Sequence, residues 1–219
     1  MFGMAPIDGI RFVHAAIVNE ARDIEHEAHT ASTPQAAGAL LPRLAFYAEL
    51  IDGHTRGEEL GLFPPLVERE PNFADTYLLD HRDEASLLTE MLTLAKACQA
   101  GDADALERFR RNTVALTEQA ERHVRKENEL VLPLCRTLFS DDEQSEMVST
   151  MLGAFSPDVM GRAAGWIVSN VDADTGAEYL DELSAAMPPE VFNGTKASVR
   201  DAVGPQRWSE LIQRLPSLS

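Results

Sequence analysis

The chain has 219 residues, with 36 acidic against 19 basic side chains and a formal charge of −17. That balance argues against nucleic acid and against an anionic membrane surface as partners, since both need clustered Lys and Arg. Hydrophobic content of 44% and charged content of 25% are ordinary for a soluble globular protein with core enough for one or two domains.

The N-terminus shows no basic stretch followed by an apolar run, so no secretory signal is expected. No apolar run approaches the ~20 residues of a spanning helix. Residues 6–30 are predicted to form one amphipathic helix, with Ile7, Ile10, His14, Ile17, Ala21, Ile24 and Ala28 at three- and four-residue spacing. Thr33 is a plausible N-cap, with Pro34 at the first helical position of a second helix. That helix carries Leu40, Leu44, Tyr47, Ile51, His54, Glu58 and Leu62 on one face, and Pro64-Pro65 disturbs it. The third helix runs from about 74 to 99, with Ala74, Leu78, His81, Ala85, Leu88, Leu92 and Ala95 inward. Ala100-Gly101-Asp102 ends it. The fourth runs from about 103 to 139, with Leu106, Phe109, Leu116, Ala120, His123, Glu127, Leu130 and Leu134 inward. No two-residue alternation of a strand interrupts residues 1–139. The expected fold is all-α: an up-down-up-down four-helix bundle over residues 1–139.

Residues 140–219 read as a C-terminal extension of shorter helices. Ser140, Ser156 and Asp172 open successive segments, and Gly204-Pro205 precedes the last. This extension has no His and no Cys. It is expected to pack on the bundle, to cover its site as a lid, or to build a homo-oligomer interface. Cys98 and Cys135 form neither a metal motif nor a disulfide framework, so reduced thiols in a cytoplasmic protein are expected.

One phrase occurs twice. His-x-Arg-x-Glu, with a Pro ten residues after the His, runs from His54 through Arg56 and Glu58 to Pro64, and again from His123 through Arg125 and Glu127 to Pro133. A lone His precedes each copy, His14 by 40 residues and His81 by 42. A His and a Glu four apart lie one turn apart on the same helix face. Counted from the helix turns, all four histidines fall at similar heights. Four imidazoles and two carboxylates would be very costly to bury without a cation. The pattern therefore points to two metal ions held between four helices. Imidazole and carboxylate suit iron, manganese and zinc.

His26 and His29 lie ~18–22 Å farther along the first helix and are expected on the surface. Glu59 and Glu129 flank the motifs on another face and are expected in solvent, as are Arg56 and Arg125 in outer salt bridges. Tyr47, two turns before His54, is expected to pack in the core, with a hydrogen bond to the ligands or weak ligation as the alternative.

These residues resemble the hemerythrin-like, or HHE cation-binding, family over about residues 10–139. The resemblance rests on His14, the His54–Glu58 pair with Leu-Phe-Pro after it, His81, and the His123–Glu127 pair with Leu-Pro after it. It implies a non-haem di-iron centre, oxo- or hydroxo-bridged, with Glu58 and Glu127 as bridges. It also implies dioxygen, peroxide or nitric oxide as the small molecule. Two positions depart from the oxygen carriers of the family. Ala85 stands where their third helix has a second His, and Glu127 with Asn128 stands where their last motif ends in Asp. Fewer imidazoles leave an open metal position, which favours reactivity over reversible carriage. An oxidoreductase role, a di-iron oxygenase acting on a small organic substrate, and an iron or oxygen sensor without turnover are the competing expectations.

Overall fold

The computed structural model describes residues 4–218, and among these no strand occurs. A single 3₁₀ turn, Pro6–Gly9, leads into α1, Ile10–Thr30. Thr33 accepts the N–H of Ala36 at 3.2 Å and caps α2, Pro34–Gly38, with Pro34 in its first turn as predicted. The second helix is not continuous, however. It breaks after Gly38, and α3 runs Leu41–Gly57. Gly38 lies against the end of the third long helix, where a Cβ would meet the backbone N of Gln99 at 2.5 Å. That close approach needs glycine and places the break.

The third long helix is α5, Asp75–Gln99, and the fourth is α6, Ala103–Lys126. Gly101, at φ +94°, reverses the chain between them, and Asp102 caps α6 by accepting from Asp104 and Ala105 at 2.9 and 3.0 Å. The chain forms the up-down-up-down bundle of α1, α3, α5 and α6. Every residue predicted on the inner stripes of α1 and α3 is buried, from Ile7 to Ala28 and from Leu40 to Leu62.

Two predicted stripes shift. In α5, Ala85 is exposed and Glu84 is buried instead. Beyond α6, Leu130 is 55% exposed, and Val131, Leu132 and Cys135 point inward. The second shift has a visible cause. Each HxxxE motif passes directly into a wider π-helical turn: Glu58–Leu62 between α3 and α4 (Phe63–Arg69), and Glu127–Val131 between α6 and α7 (Leu132–Leu138). Pro64 and Pro133 stand in the first turn after each. A helical proline has no N–H to donate and its ring displaces the carbonyl four residues back. A π turn absorbs that misfit and carries one additional residue, so the face that follows is rotated.

The chain divides into two compact units. The first holds the residues up to Asp8 and Glu20–Phe155, and the second holds Gly9–Asn19 and Ser156–Ser219. Helix α8, Asp141–Leu152, is capped by Ser140 with Glu143 in a reciprocal capping box. It falls in the first unit, so the division comes at Ser156, later than the expected 139/140 boundary. The second unit comprises α9 (Pro157–Ser169), α10 (Ala173–Ala186) and α11 (Pro189–Arg214) around Val168, Leu180, Val199 and Leu211. Gly204, at φ +75°, kinks α11 before Pro205. No helix among the described residues is long and apolar enough to cross a membrane.

Candidate metal centre

Helical spacing brings His54 and Glu58 to the same face at the end of α3, and it does the same for His123 and Glu127 at the end of α6. His54 Nε2 lies 3.3 Å from Glu58 Oε1, and His123 Nε2 lies 3.2 Å from Glu127 Oε1. Helix α5 adds His81, whose Nε2 lies 3.3 Å from Glu58 Oε2. The two oxygens of Glu58 therefore face two different imidazoles. His81 and His123 meet edge to face with ring centroids 5.0 Å apart.

The ligand atoms of Glu58, His81, His123 and Glu127 all lie within 4.8 Å of one another. Those of His54, Glu58 and Glu127 satisfy the same limit. Two carboxylates thus belong to both groups. All five side chains are buried, with exposures of 5% or less. An imidazole nitrogen 3.2–3.3 Å from a carboxylate oxygen in a dry interior requires a proton or a cation between them. The nitrogen- and oxygen-only donor set fits divalent first-row metals. His14 is buried on α1 at 1% exposure, in the part of that helix that belongs to the second unit.

The electrostatics report the same demand. Burial opposes a charged His123, but its bond to Glu127 and the field of Glu127, Glu58 and Glu84 outweigh it and raise the imidazole to about 9. Burial likewise opposes charge on His81, and Glu58 and Glu59 overcome it.

The surroundings contain residues that the sequence alone does not single out. Glu59, expected in solvent, accepts from His81 Nδ1 at 3.0 Å while remaining 43% exposed. Asp80 lies 3.5 Å from His123 Nδ1 and is held by Lys126 Nζ at 2.5 Å. Burial pushes the Asp80 carboxyl up, and Lys126 and His123 more than offset it, so it is lowered. Such outer carboxylates fix the tautomer and raise the basicity of a metal-binding imidazole. Phe63 stacks on the His81 ring, and Tyr77 sits edge-on to His123.

Glu84 is the largest omission. It is 4% exposed, and burial raises its carboxyl to about 7 against the lowering fields of His123 and His81. The available signals are its spacing of three from His81 and the adjacency of Asp80 to His81 in the sequence. Tyr47 is fully buried and its hydroxyl makes no hydrogen bond among the described residues, so it packs in the core without bonding the ligands. His26 and His29 are exposed, as is Glu129. Arg56 makes an outer pair with Asp52 at 3.6 Å and also donates to Ala154 O at 2.5 Å. A surface cleft of about 320 Å³ between the first π turn and α8 is lined by Leu60, Pro65, Arg69, Phe139 and Met147, and by none of the ligand candidates.

The family model described as "Hemerythrin HHE cation binding domain" matches residues 5–135. Among curated proteins, "Zinc finger protein BRUTUS" from Arabidopsis thaliana is 26% identical over 189 residues, which is 85% of this chain and 15% of that protein. The chain thus spans a small part of this relative's length. No solved structure matches the chain.

Proposed function

The chain belongs to the hemerythrin HHE cation-binding family, and from that premise we propose that it is a non-haem di-iron protein that binds or reacts with dioxygen, peroxide or nitric oxide. The observation that carries this reading is the sharing of Glu58 and Glu127 between two ligand groups less than 4.8 Å across. A single-metal site would need no shared carboxylates. In this reading Glu58 and Glu127 would be shared by two ions, with His81 and His123 as further ligands of one and His54 of the other. His14, buried and in the sequence position the motif requires, would be the remaining ligand of the pattern.

Bound iron supplies a reversible one-electron change and an open coordination position for a small molecule. The protein's own side chains fix the imidazoles, through Glu59 and Asp80, and exclude bulk water through Phe63 and Tyr77. The acidic surface suits a neutral small molecule better than an anionic one, and it concentrates cations. A cytoplasmic setting fits the two buried free thiols, Cys98 and Cys135.

The test is metal analysis of protein from iron-fed cells, followed by optical spectra before and after dioxygen, peroxide or nitric oxide is added to the reduced protein. Two irons per chain and a spectrum that responds to one of these molecules are expected. Protein that takes up no iron, or iron whose spectrum ignores all three, would overturn the reading. Loss of an added organic substrate, seen only with iron bound, would instead favour an oxygenase.

A further inference from the structure

Three side chains of α6 converge on a single residue of α5. Gln119, His123 and Lys126 follow one another at spacings of four and three, so they share one stripe of α6. The buried Gln119 amide donates to the Asp80 carbonyl oxygen at 3.0 Å. His123 Nδ1 faces Asp80 Oδ2 at 3.5 Å, and Lys126 Nζ donates to that same oxygen at 2.5 Å. Lys126 is itself fixed in place. Its ammonium lies 4.1 Å from the centre of the Tyr77 ring and 3.5 Å from Thr76 Oγ1, both about one turn before Asp80 on α5. Lys126 and Asp80 are only partly exposed, so salt and water screen their attraction less than that of an open surface pair.

The other imidazole of the same ligand group is held differently. His81 Nδ1 meets Glu59 Oε1 at 3.0 Å, and among the described residues no Lys or Arg pairs with Glu59. His81 therefore has an uncompensated carboxylate within full hydrogen-bond reach. His123 has a carboxylate whose facing oxygen is already engaged by a nearer cation. An outer carboxylate acts on a metal through the imidazole between them. The more strongly it draws the Nδ1 proton, the more electron density Nε2 offers. A contact of 3.5 Å, to an oxygen shared with an ammonium, draws weakly. The two imidazoles are thus unequal, and the residue that makes them so is Lys126.

We propose that Lys126 is a positioning residue of the metal centre: by occupying the Asp80 oxygen that faces His123, it restrains that carboxylate and leaves His123 the weaker of two imidazole donors. This rests on the reading of His123 as a metal ligand, and it holds for whichever divalent ion fills the site. Lys126 touches no ligand atom and acts only through Asp80. A weaker donor leaves the ion more electron-poor, which strengthens its pull on an incoming small molecule. The same restraint lowers affinity for the ion itself. Lys126 is therefore a residue whose removal tightens metal binding, opposite to the loss that follows when a purely structural contact is cut.

The test uses the full chain and zinc, which suits the same ligands and has no redox chemistry. Zinc affinity is measured against a competing chelator. Lys126→Met, which keeps an unbranched stem over Tyr77, should bind zinc about tenfold more tightly, the lower end of what outer partners contribute. Lys126→Arg, which keeps the cation, should stay near wild type. Asp80→Asn should bind ~10–100-fold more weakly. Adding Lys126→Met to Asp80→Asn should change nothing further, because the carboxylate through which the lysine acts is gone. In the zinc-loaded protein, the His123 Nδ1 proton resonance should move downfield in Lys126→Met, as its hydrogen bond to Asp80 strengthens. Lys126→Met with unchanged or weaker zinc binding, or with an unmoved resonance, would overturn the proposal while leaving the metal centre intact. Equal tightening in the presence and absence of Asp80→Asn would also overturn it, since the ammonium would then act on the ion directly. Wild-type protein that binds no zinc and no iron would overturn the proposal and the metal reading together.

Discussion

Glu59 accepts the Nδ1 proton of His81 at 3.0 Å across the gap between the first π turn and α5. The preceding residue, Glu58, faces the other nitrogen of the same ring at 3.3 Å. Adjacent carboxylates thus grip one imidazole from both sides. The expected consequence is that Glu59→Ala weakens metal binding by about 10–100-fold, the usual effect of removing an outer carboxylate. Glu59→Gln, whose amide oxygen still accepts, should lose less. Metal titration in a competing chelator checks both, and equal affinity in all three proteins would dismiss the role.

Loss of a ligand should act more severely. His54→Ala or Glu127→Ala should bind less metal and melt at a lower temperature in the loaded state. A ligand present at a thousandfold over its dissociation constant adds about 4 kcal/mol to stability, and that contribution disappears with the site. His29→Ala should alter neither quantity, since this residue is exposed and its ring nitrogen meets the Arg110 carbonyl at 3.3 Å, away from the ligand candidates. Thermal melts with and without added iron separate the two classes.

Protons and metal compete for the same imidazoles, so pH should act in opposite directions on the two forms. His123 is raised to about 9 and His81 is raised above the ordinary histidine range. A group raised in the folded state stabilises fully below its unfolded value, ~6.5 for histidine, and that stabilisation is lost as pH climbs through the folded value. The chelator-treated protein should therefore lose stability from about pH 6.5 to about 9. Metal affinity should rise over the same window, because fewer protons must be displaced. A metal-free melting temperature that is flat or rising there would contradict the assignment.

The π turn after Glu58 is held by α8 through a glycine contact. A Cβ on Gly61 would lie 2.8 Å from the Met147 carbonyl oxygen and 2.9 Å from the Met151 amide nitrogen. Both are backbone atoms and cannot swing away. Gly61→Ala should cost about 1–3 kcal/mol in denaturant unfolding, as overpacking does. Gly194→Ala on α11 has nothing within 4 Å to meet and should instead stabilise slightly, by about 0.5–1 kcal/mol. The opposite signs make the pair its own control.

The bundle is legible in the sequence because its period is regular. The stripes from Ile7 to Ala28 and from Leu40 to Leu62 are both buried, and the caps at Thr33, Asp102, Ser140, Ser156 and Asp172 all bond as their residue types suggest. The HxxxE pairs are legible for the same reason, since four residues nearly complete a turn. What escapes is decided by departures from that period. Extrapolating a 3.6-residue repeat across Glu127–Val131, where the helix widens, places Leu130 inward, whereas it faces out. Glu59 is exposed as its helix face predicts, but its bond to His81 on α5 is not visible from that face. Ala85 and Glu84 are adjacent, and an apolar rule prefers alanine at a core position that in fact holds a carboxyl. Asp80 reaches His123 from a different helix and is itself held by Lys126, a relationship that no spacing within one helix reveals.

The repeated widening also separates two design problems. Upstream of each π turn, the register is dictated by where a carboxylate must stand. Downstream, it is dictated by how α4 and α7 seat their own apolar faces. A helix of uniform pitch would force one choice to serve both needs, and every change of floor would drag a ligand with it. With a spare residue lodged at each junction, the side chains beneath the centre can be exchanged during evolution or redesign while the coordinating end stays where it is.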